Sequence, residues 1–110
     1  MILILGGKWA GKLDYVKHTL GYSDRDIAIC RLDEKPVVYG LQDIPEISIE
    51  STEFLACKEV VVCDEIGCGI VPIEQEERER RERIGRLCIA LACRAEQVIR
   101  MTAGLPVRIK

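Results

Sequence analysis

Short apolar runs rich in valine and isoleucine recur along the chain, and glycine, proline or charged residues end each of them. Runs of this length are typical of strands buried on both faces, as in a parallel sheet. Between residues 33 and 50, prolines interrupt the pattern and leave short strand-like pieces at 37–39 and 47–49 within a meandering connection. The strands predicted from the remaining runs are 2–5, 26–32, 59–63, 97–101 and 107–110.

Helical periodicity follows the first strand and returns in the second half of the chain. Residues 11–20 place apolar side chains on one helical face, and Gly21 is expected to end that helix. A single helical turn is predicted at 51–56. The longest predicted helix spans residues 74–95.

This longest helix changes character along its length. Its first half is almost entirely charged and places glutamates four residues before arginines, an order in which each pair adds roughly a few tenths of a kcal/mol. Gly85 costs about 1 kcal/mol there relative to alanine, so we expect close packing or the approach of a ligand. The expected pairs are Glu74–Arg78, Glu76–Arg80, Glu77–Arg81, Glu79–Arg83 and Glu82–Arg86. An apolar stripe that would pack on the sheet comprises Ile84, Leu87, Cys88, Leu91, Ala92 and Ala95.

The alternation of strands and helices predicts an α/β fold with a mostly parallel sheet and helices on both faces. The 110 residues are expected to form one domain, 1–110. With 48% hydrophobic and 31% charged residues the chain should be globular, and its net charge of −2 gives no overall basic field for nucleic acid. Because no apolar run reaches the roughly 20 residues of a membrane span and no basic leader is present, we expect a cytoplasmic protein.

Six cysteines and one histidine offer little for a metal site. None of the cysteines forms a Cys-x-x-Cys pair, and the zinc-ligand spacings are missing. Several cysteines lie inside apolar runs, so we expect buried, reduced thiols rather than disulfides. His18 has no partner at ligand spacing and is interpreted as a surface or capping residue.

A glycine-rich loop follows the first strand. Its sequence, Gly6-Gly7-Lys8-Trp9-Ala10-Gly11-Lys12-Leu13, fits the phosphate-loop pattern G-x-x-x-x-G-K-[ST] except at the last position. Glycines allow the backbone N–H groups to converge on phosphate oxygens, and Lys12 would reach the β- and γ-phosphates. Leu13 has no hydroxyl with which to bind Mg²⁺. The loop therefore predicts nucleotide or phosphate binding, and the alternative is an ordinary glycine turn between strand and helix.

Two carboxylates, Asp64 and Glu65, follow the apolar run that ends at Cys63. In open α/β sheets, ligands bind at the carboxyl ends of the strands, so this position predicts a functional role. Asp64 would bind Mg²⁺ through water, and Glu65 would orient a nucleophile. The alternative is that Asp64 caps a turn.

Four segments of the chain share a pattern with known proteins. They are Gly6-Gly7 with Gly11-Lys12, the block Glu65-Ile66-Gly67-x-Gly69-Ile70-Val71-Pro72, the helix residues Arg78, Arg81, Gly85 and Arg86, and the ending Ala103-Gly104-Leu105-Pro106-Val107-x-Ile109-Lys110. On these residues the chain resembles the bifunctional adenosylcobinamide kinase/adenosylcobinamide-phosphate guanylyltransferases of cobalamin biosynthesis. The likeness covers residues 1–20 and 58–110 and leaves the middle of the chain unmatched.

The resemblance implies a P-loop NTPase-like α/β sandwich with a short C-terminal strand pair. It implies ATP or GTP as the nucleotide, a corrinoid as a second ligand and association into a small homo-oligomer. Together with the motifs above, it predicts a site with catalytic Asp64 and Glu65, of which Asp64 is also the metal ligand. The predicted nucleotide-binding residues are Gly6, Gly7, Lys8, Trp9, Ala10, Gly11, Lys12, Arg78, Arg81 and Arg86.

The chain also departs from the family's pattern. The segment with the histidine that receives the guanylyl group is missing after the second strand, and His18 does not occupy its place. Other departures are Trp9, Ala10 and Leu13, which stand at an arginine and two serine positions, and Asp64 and Cys88, which replace asparagines.

Three functions follow from these observations. The first is a nucleotide-binding relative of the kinases that has lost guanylyl transfer and most or all kinase activity. The second is a minimal adenosylcobinamide kinase, in which Asp64 and Glu65 supply the magnesium site that Leu13 cannot. The third is a non-catalytic interaction protein with helix 74–95 as its contact surface.

Overall fold

The structure, a computed structural model, describes residues 1–65 and 74–110. The strands in this part of the chain are β1 (Ile2–Gly6), β2 (Ile27–Ile29), β3 (Val37–Tyr39), β4 (Val60–Asp64), β5 (Gln97–Thr102) and β6 (Leu105–Arg108). They form one sheet in the spatial order β2-β3-β4-β1-β5-β6. All neighbours are parallel except β5 and β6, which form an antiparallel hairpin.

In the described residues, three α-helices connect or follow these strands. They are α1 (Lys12–Asp14), which continues as a π-helical turn (Tyr15–Thr19), α2 (Thr52–Ala56) and α3 (Gln75–Arg94). Short 3-10 turns lie at Asp24–Asp26, Leu41–Asp43 and Ile49–Ser51. Among the described helices, none has the combined length and hydrophobicity of a membrane span.

The core lies on both faces of the sheet, because successive strand residues point to opposite faces. Val16, on the π-helical turn after α1, packs with Ile4 and Val62 on one face. Leu87 and Leu91 of α3 pack on the other face. The predicted α/β sandwich with a mostly parallel sheet, helices on both faces and a short C-terminal strand pair is therefore confirmed.

The connection over residues 33–50 contains an interior strand. The strand-like piece at 37–39 is β3, which pairs with both β2 and β4. The piece at 47–49 is not a strand, since its last residue begins a 3-10 turn whose preceding Ser48 accepts a hydrogen bond from the N–H of Glu50. Strand β2 is shorter than predicted because Cys30 adopts a positive φ of 56° and ends it.

Helix α3 buries its predicted apolar stripe. Ile84, Leu87 and Leu91 are fully buried against the sheet, and Cys88 and Ala92 are partly buried. The Glu82–Arg86 pair forms at 3.2 Å, and the Glu77–Arg81 pair is looser, at 3.9 Å. Arg80 instead contacts Glu77 and Asp43, and its guanidinium also donates to the carbonyl oxygen of Gln42. It therefore links α3 to the turn after β3.

The cysteines are less buried than the sequence suggests. Among the described cysteines, all of which are reduced, only Cys63 is fully buried. Cys30 and Cys88 are half-buried, and Cys57 and Cys93 are exposed. Cys57 follows the last residue of α2, and Cys93 lies in the last turn of α3. At these helix ends, an apolar residue next to the cysteine in sequence does not imply that the cysteine is buried.

Gly85 offers a simple test of the helix. It is exposed, and beyond the adjacent residues and the nearby helix backbone no described atom lies within 4 Å of the position where a Cβ would stand, so close packing does not explain it. We expect Gly85→Ala to raise the free energy of unfolding by about 0.5–1 kcal/mol, because alanine restricts the unfolded chain and favours the helix. Urea denaturation measures this.

Gly40→Ala is the matched control, with the opposite sign. Gly40 has a φ of 77°, and an added Cβ would lie 2.7 Å from the Sγ of Cys30. We expect it to lower the free energy of unfolding by about 1 kcal/mol or more. A loss of stability in Gly85→Ala would mean that the helix is closely packed there after all.

Candidate functional site

The site lies at the carboxyl edge of the sheet, where β1 ends between two neighbours. Gly6 is level with Asp64 of β4 and with Met101 of β5. A Cβ at Gly6 would lie 2.8 Å from the carbonyl oxygen of Met101, so only glycine permits this approach of the strands. The N–H of Glu65 donates to the carbonyl oxygen of Gly6 at 2.8 Å. The start of the loop and the acidic strand end are therefore fixed side by side.

The loop between β1 and α1 leaves the side chain of its tryptophan exposed to solvent. Trp9 is 98% exposed and has a φ of 64°, so its indole does not fill the loop. Gly11 has a φ of 88°, a conformation that glycine adopts without strain, and α1 begins at the next residue. The carbonyl oxygen of Ala10 accepts a hydrogen bond from the N–H of Gly104 at 3.0 Å. The turn of the β5–β6 hairpin thus supports the loop from outside.

Lys12 is the buried centre of this arrangement, with only 3% of its surface exposed. Its Nζ lies 2.8 Å from Oδ1 of Asp64. It also donates to the carbonyl oxygens of Gly6, at 3.1 Å, and Gly7, at 2.6 Å. An ammonium group has three donors, so these three oxygens satisfy Lys12. The structure thus brings together the lysine of the predicted phosphate loop and the aspartate of the predicted metal site, as partners of an ion pair.

Gln42 positions the backbone next to this ion pair. Its Oε1 accepts a hydrogen bond from the N–H of Asp64 at 3.0 Å, and its Nε2 donates to Asp43. The side chain is 9% exposed, and a buried amide of this kind is costly unless it is hydrogen-bonded. Because Arg80 binds the carbonyl oxygen of Gln42, helix α3 is connected through Gln42 to the end of β4.

Glu65 forms a bidentate ion pair with Arg100 of β5. Its Oε1 lies 2.7 Å from Nε of Arg100, and its Oε2 accepts from a terminal guanidinium nitrogen at 3.0 Å. Paired hydrogen bonds of this geometry fix a carboxylate in one orientation. The predicted role of Glu65, orienting a nucleophile, stays a prediction, and in this structure its carboxylate links β4 to β5 across β1.

A cavity of about 300 Å³ opens over the loop. Its volume is at the lower end of the range for small-molecule sites. Burial, and then the negative charge of Asp64, raise the pKa of Tyr39 above its usual value, so the phenol stays protonated at neutral pH. The cavity is lined by Trp9, Ala10, Gly11, Lys12, Leu13, Asp14 and Tyr39.

The predicted arginines lie on α3, which covers the opposite face of the sheet from α1. Arg86 pairs with Glu82, and Arg81 lies near Glu77. Arg78 is exposed in the first half of the helix. Their predicted role in nucleotide binding is not tested by these contacts. The glycine-rich stretch from 66 to 72, on which much of the family likeness depends, lies outside the described residues.

A comparison with protein families identifies one of them. The family described as cobinamide kinase / cobinamide phosphate guanyltransferase matches residues 40–109, which is more than half of the chain. The chain belongs to this family. The suspected resemblance is thereby confirmed, and it connects the chain with cobalamin biosynthesis and with proteins that bind nucleotides. A search of the curated proteins finds no match.

The matched span differs from the likeness seen in the sequence. It includes residues 40–57, which carry no convincing motif, and it begins after the glycine-rich loop at 6–13. Phosphate binding at the loop of this cobinamide kinase relative therefore stays a prediction, supported by the loop's own residues and their geometry. These are the ion pair of Lys12 with Asp64 and the cavity beside it.

The described residues do not fit a metal site held by protein ligands. No group of three or more histidine, cysteine, aspartate or glutamate side chains in this part of the chain is arranged to hold a metal ion. Asp64 is paired with Lys12, Glu65 contacts Arg100, and Leu13 has no oxygen to offer. The predicted role of Asp64 as a metal ligand therefore stays a prediction that the donor set does not favour.

Sequence reasoning missed three residues that shape the site: Gln42, Tyr39 and Arg100. Gln42 lies in a segment with no periodic pattern, so nothing in the sequence marks it as buried. Tyr39 lies in the short strand-like segment at 37–39, within a connection whose sequence pattern does not predict a position in the site. Arg100 carries the one available signal, since it is the charged residue of the predicted strand 97–101.

The ion pair predicts a measurable cost of removing its acid. Asp64→Ala leaves the buried ammonium of Lys12 with two carbonyl oxygens and no counter-charge. We expect it to lower the free energy of unfolding by about 2–3 kcal/mol, measured by urea denaturation.

The matched control removes the acid of an exposed pair. Glu82→Ala breaks the contact with Arg86, in which both side chains are largely exposed. We expect a change of at most about 0.5 kcal/mol. Equal costs for the two variants would contradict a buried Lys12–Asp64 pair.

Proposed function

We propose that this chain is a nucleotide-binding member of the cobinamide kinase family that binds the phosphates of ATP or GTP at the loop 6–13 and has lost guanylyl transfer. The observation that supports it most directly is the position of Lys12. Its ammonium lies at the end of β1, between the loop and Asp64, and beside a cavity. Family membership adds that related proteins bind nucleotides.

Binding would exchange one set of oxygens around Lys12 for another. The ammonium is satisfied by Asp64 and by two loop carbonyls, so a phosphate must compete with the carboxylate. A triphosphate carries several anionic oxygens and offers charge-assisted hydrogen bonds, which makes this exchange favourable. The lysine needs only to turn away from β4, because its main chain already lies at the first turn of α1.

Two departures from the family's pattern support the loss of catalysis. Leu13 stands where a hydroxyl would bind Mg²⁺, and the described carboxylates at the strand end are engaged by basic side chains. The family's guanylyl-accepting histidine has no counterpart, since the chain's only histidine, His18, is exposed on the π-helical turn. We therefore propose binding in which any Mg²⁺ accompanies the nucleotide.

Titration calorimetry with ATP and GTP, each with and without Mg²⁺, tests the proposal. We expect binding in both conditions, and we expect Lys12→Ala to weaken it about tenfold or more because a charge-assisted contact is lost. Lys17→Ala is the matched control. Lys17 lies one helical turn further on and pairs with Asp24, so its loss should change affinity less than about twofold. If neither nucleotide binds, the interaction protein remains as the interpretation.

A second variant separates the binder from the kinase. Asp64→Asn removes the carboxylate that competes for Lys12 and repels phosphate. In the proposed binder we expect Mg²⁺-free affinity to rise about tenfold, corresponding to roughly 1.4 kcal/mol. A kinase that used Asp64 for its metal would instead lose Mg²⁺-dependent binding and turnover. Circular dichroism of both variants controls for folding.

The alternative function is a minimal adenosylcobinamide kinase. The observation in its favour is that Asp64 and Glu65 lie at the same sheet edge as the loop. A phosphorylation assay with adenosylcobinamide and ATP or GTP tests this activity directly. Turnover in the natural chain would establish the kinase, and turnover only in Leu13→Ser would show that the scaffold lacks just the hydroxyl.

A further inference from the structure

Two thiols face each other beneath the site. Cys63 is the residue before Asp64 on β4 and is completely buried. Cys88 lies on the apolar stripe of α3 and is half-buried. Their Sγ atoms are 3.8 Å apart, although the residues are 25 positions apart in sequence. A disulfide needs a sulfur separation of about 2.05 Å, so the two atoms need to approach by less than about 2 Å.

The thiols also form a directed chain of hydrogen bonds that ends at the site. Cys88 donates to the Sγ of Cys63, and Cys63 donates to the carbonyl oxygen of Asp64 at 3.3 Å. Cys63 is fully buried, whereas Cys88 is a partly exposed residue. Cys88 is therefore the member of the pair that an oxidant would reach first, and Cys63 lies next to it.

We propose that Cys63 and Cys88 are a redox-active thiol pair that a peroxide converts into a disulfide joining β4 to α3. None of the exposed thiols is needed for this reaction. The pair differs from Cys57 and Cys93, whose exposure makes them available for contacts between molecules.

The reaction balances with a peroxide as the oxidant. The sulfur of Cys88 attacks one peroxide oxygen, the O–O bond breaks, and a sulfenic acid and one water form. The sulfur of Cys63 then attacks the Cys88 sulfur. The S–S bond forms, the S–O bond breaks, and the departing hydroxide takes the proton of Cys63 as a second water. The two thiols lose two electrons, and the peroxide gains them.

Oxidation would change the surroundings of Asp64 as well as tie α3 to the sheet. The disulfide has no S–H, so the carbonyl oxygen of Asp64 loses its hydrogen bond from Cys63. The same residue carries the carboxylate that pairs with Lys12, so a change at the Asp64 backbone would alter the position of that carboxylate. An effect on nucleotide affinity rests on the proposed function, whereas formation of the disulfide does not.

The experiment uses the full chain with Cys57→Ser and Cys93→Ser, so that the exposed thiols cannot react. The reduced protein is treated with hydrogen peroxide at low protein concentration. We expect intact mass to fall by two hydrogens, a thiol assay to lose two thiols, and dithiothreitol to restore both. We also expect the melting temperature to rise by about 5 °C or more, because the bond closes a long loop.

Single replacements assign the bond. Cys88→Ser should abolish the cross-link, and Cys30→Ser and Cys68→Ser, each in the same background, should leave it intact. Cys88 is half-buried and serine has a similar size, so this variant is expected to fold. A cross-link that survives Cys88→Ser, or oxidation that adds oxygen atoms without a cross-link, would overturn the proposal.

Nucleotide titration of the oxidised and reduced forms separates the two proposals. A disulfide that forms while neither form binds nucleotide would support the thiol pair and reject the proposed function. Nucleotide binding by a protein that forms no disulfide would reject the thiol pair alone.

Discussion

The buried ammonium of Lys12 is the group on which the rest of the site depends. A charge with almost no exposure is tolerated only where oxygens surround it, and those oxygens come from the loop and from the neighbouring strand. The parallel register that sets Gly6 beside Asp64 supplies them. In the proposed binding mode, a phosphate would have to replace the same contacts that stabilise the lysine in the unliganded protein. The stability of Lys12 and the proposed phosphate binding are therefore opposed.

The fold could be predicted well from the sequence wherever periodic patterns are long. The apolar runs of β1, β4 and β5 and the stripe of α3 each carry enough residues for the period to be clear. The interior position of β3 could not be predicted, because a run of three apolar residues after a proline does not distinguish a central strand from a loop. Its burial depends on the two strands beside it, which is tertiary information.

The site could be predicted only as far as it depends on local sequence patterns. The glycines, Lys12 and Asp64 follow a motif whose spacing is local, and the structure brings the loop and the acid together. The pairing of Glu65 with Arg100 and the support of Asp64 by Gln42 join residues far apart in sequence. No local pattern encodes such contacts. These contacts position Asp64 towards Lys12 of the loop and hold Glu65 against Arg100 of β5.

The hydrogen bond from Gly104 to Ala10 gives the loop an unusual dependence on distant sequence. The loop near the start of the chain is supported by the turn between β5 and β6, which is synthesised much later. The loop therefore reaches its final shape only after the last two strands have been synthesised and have paired. If the loop binds phosphate as proposed, the protein would acquire this binding only at the end of folding.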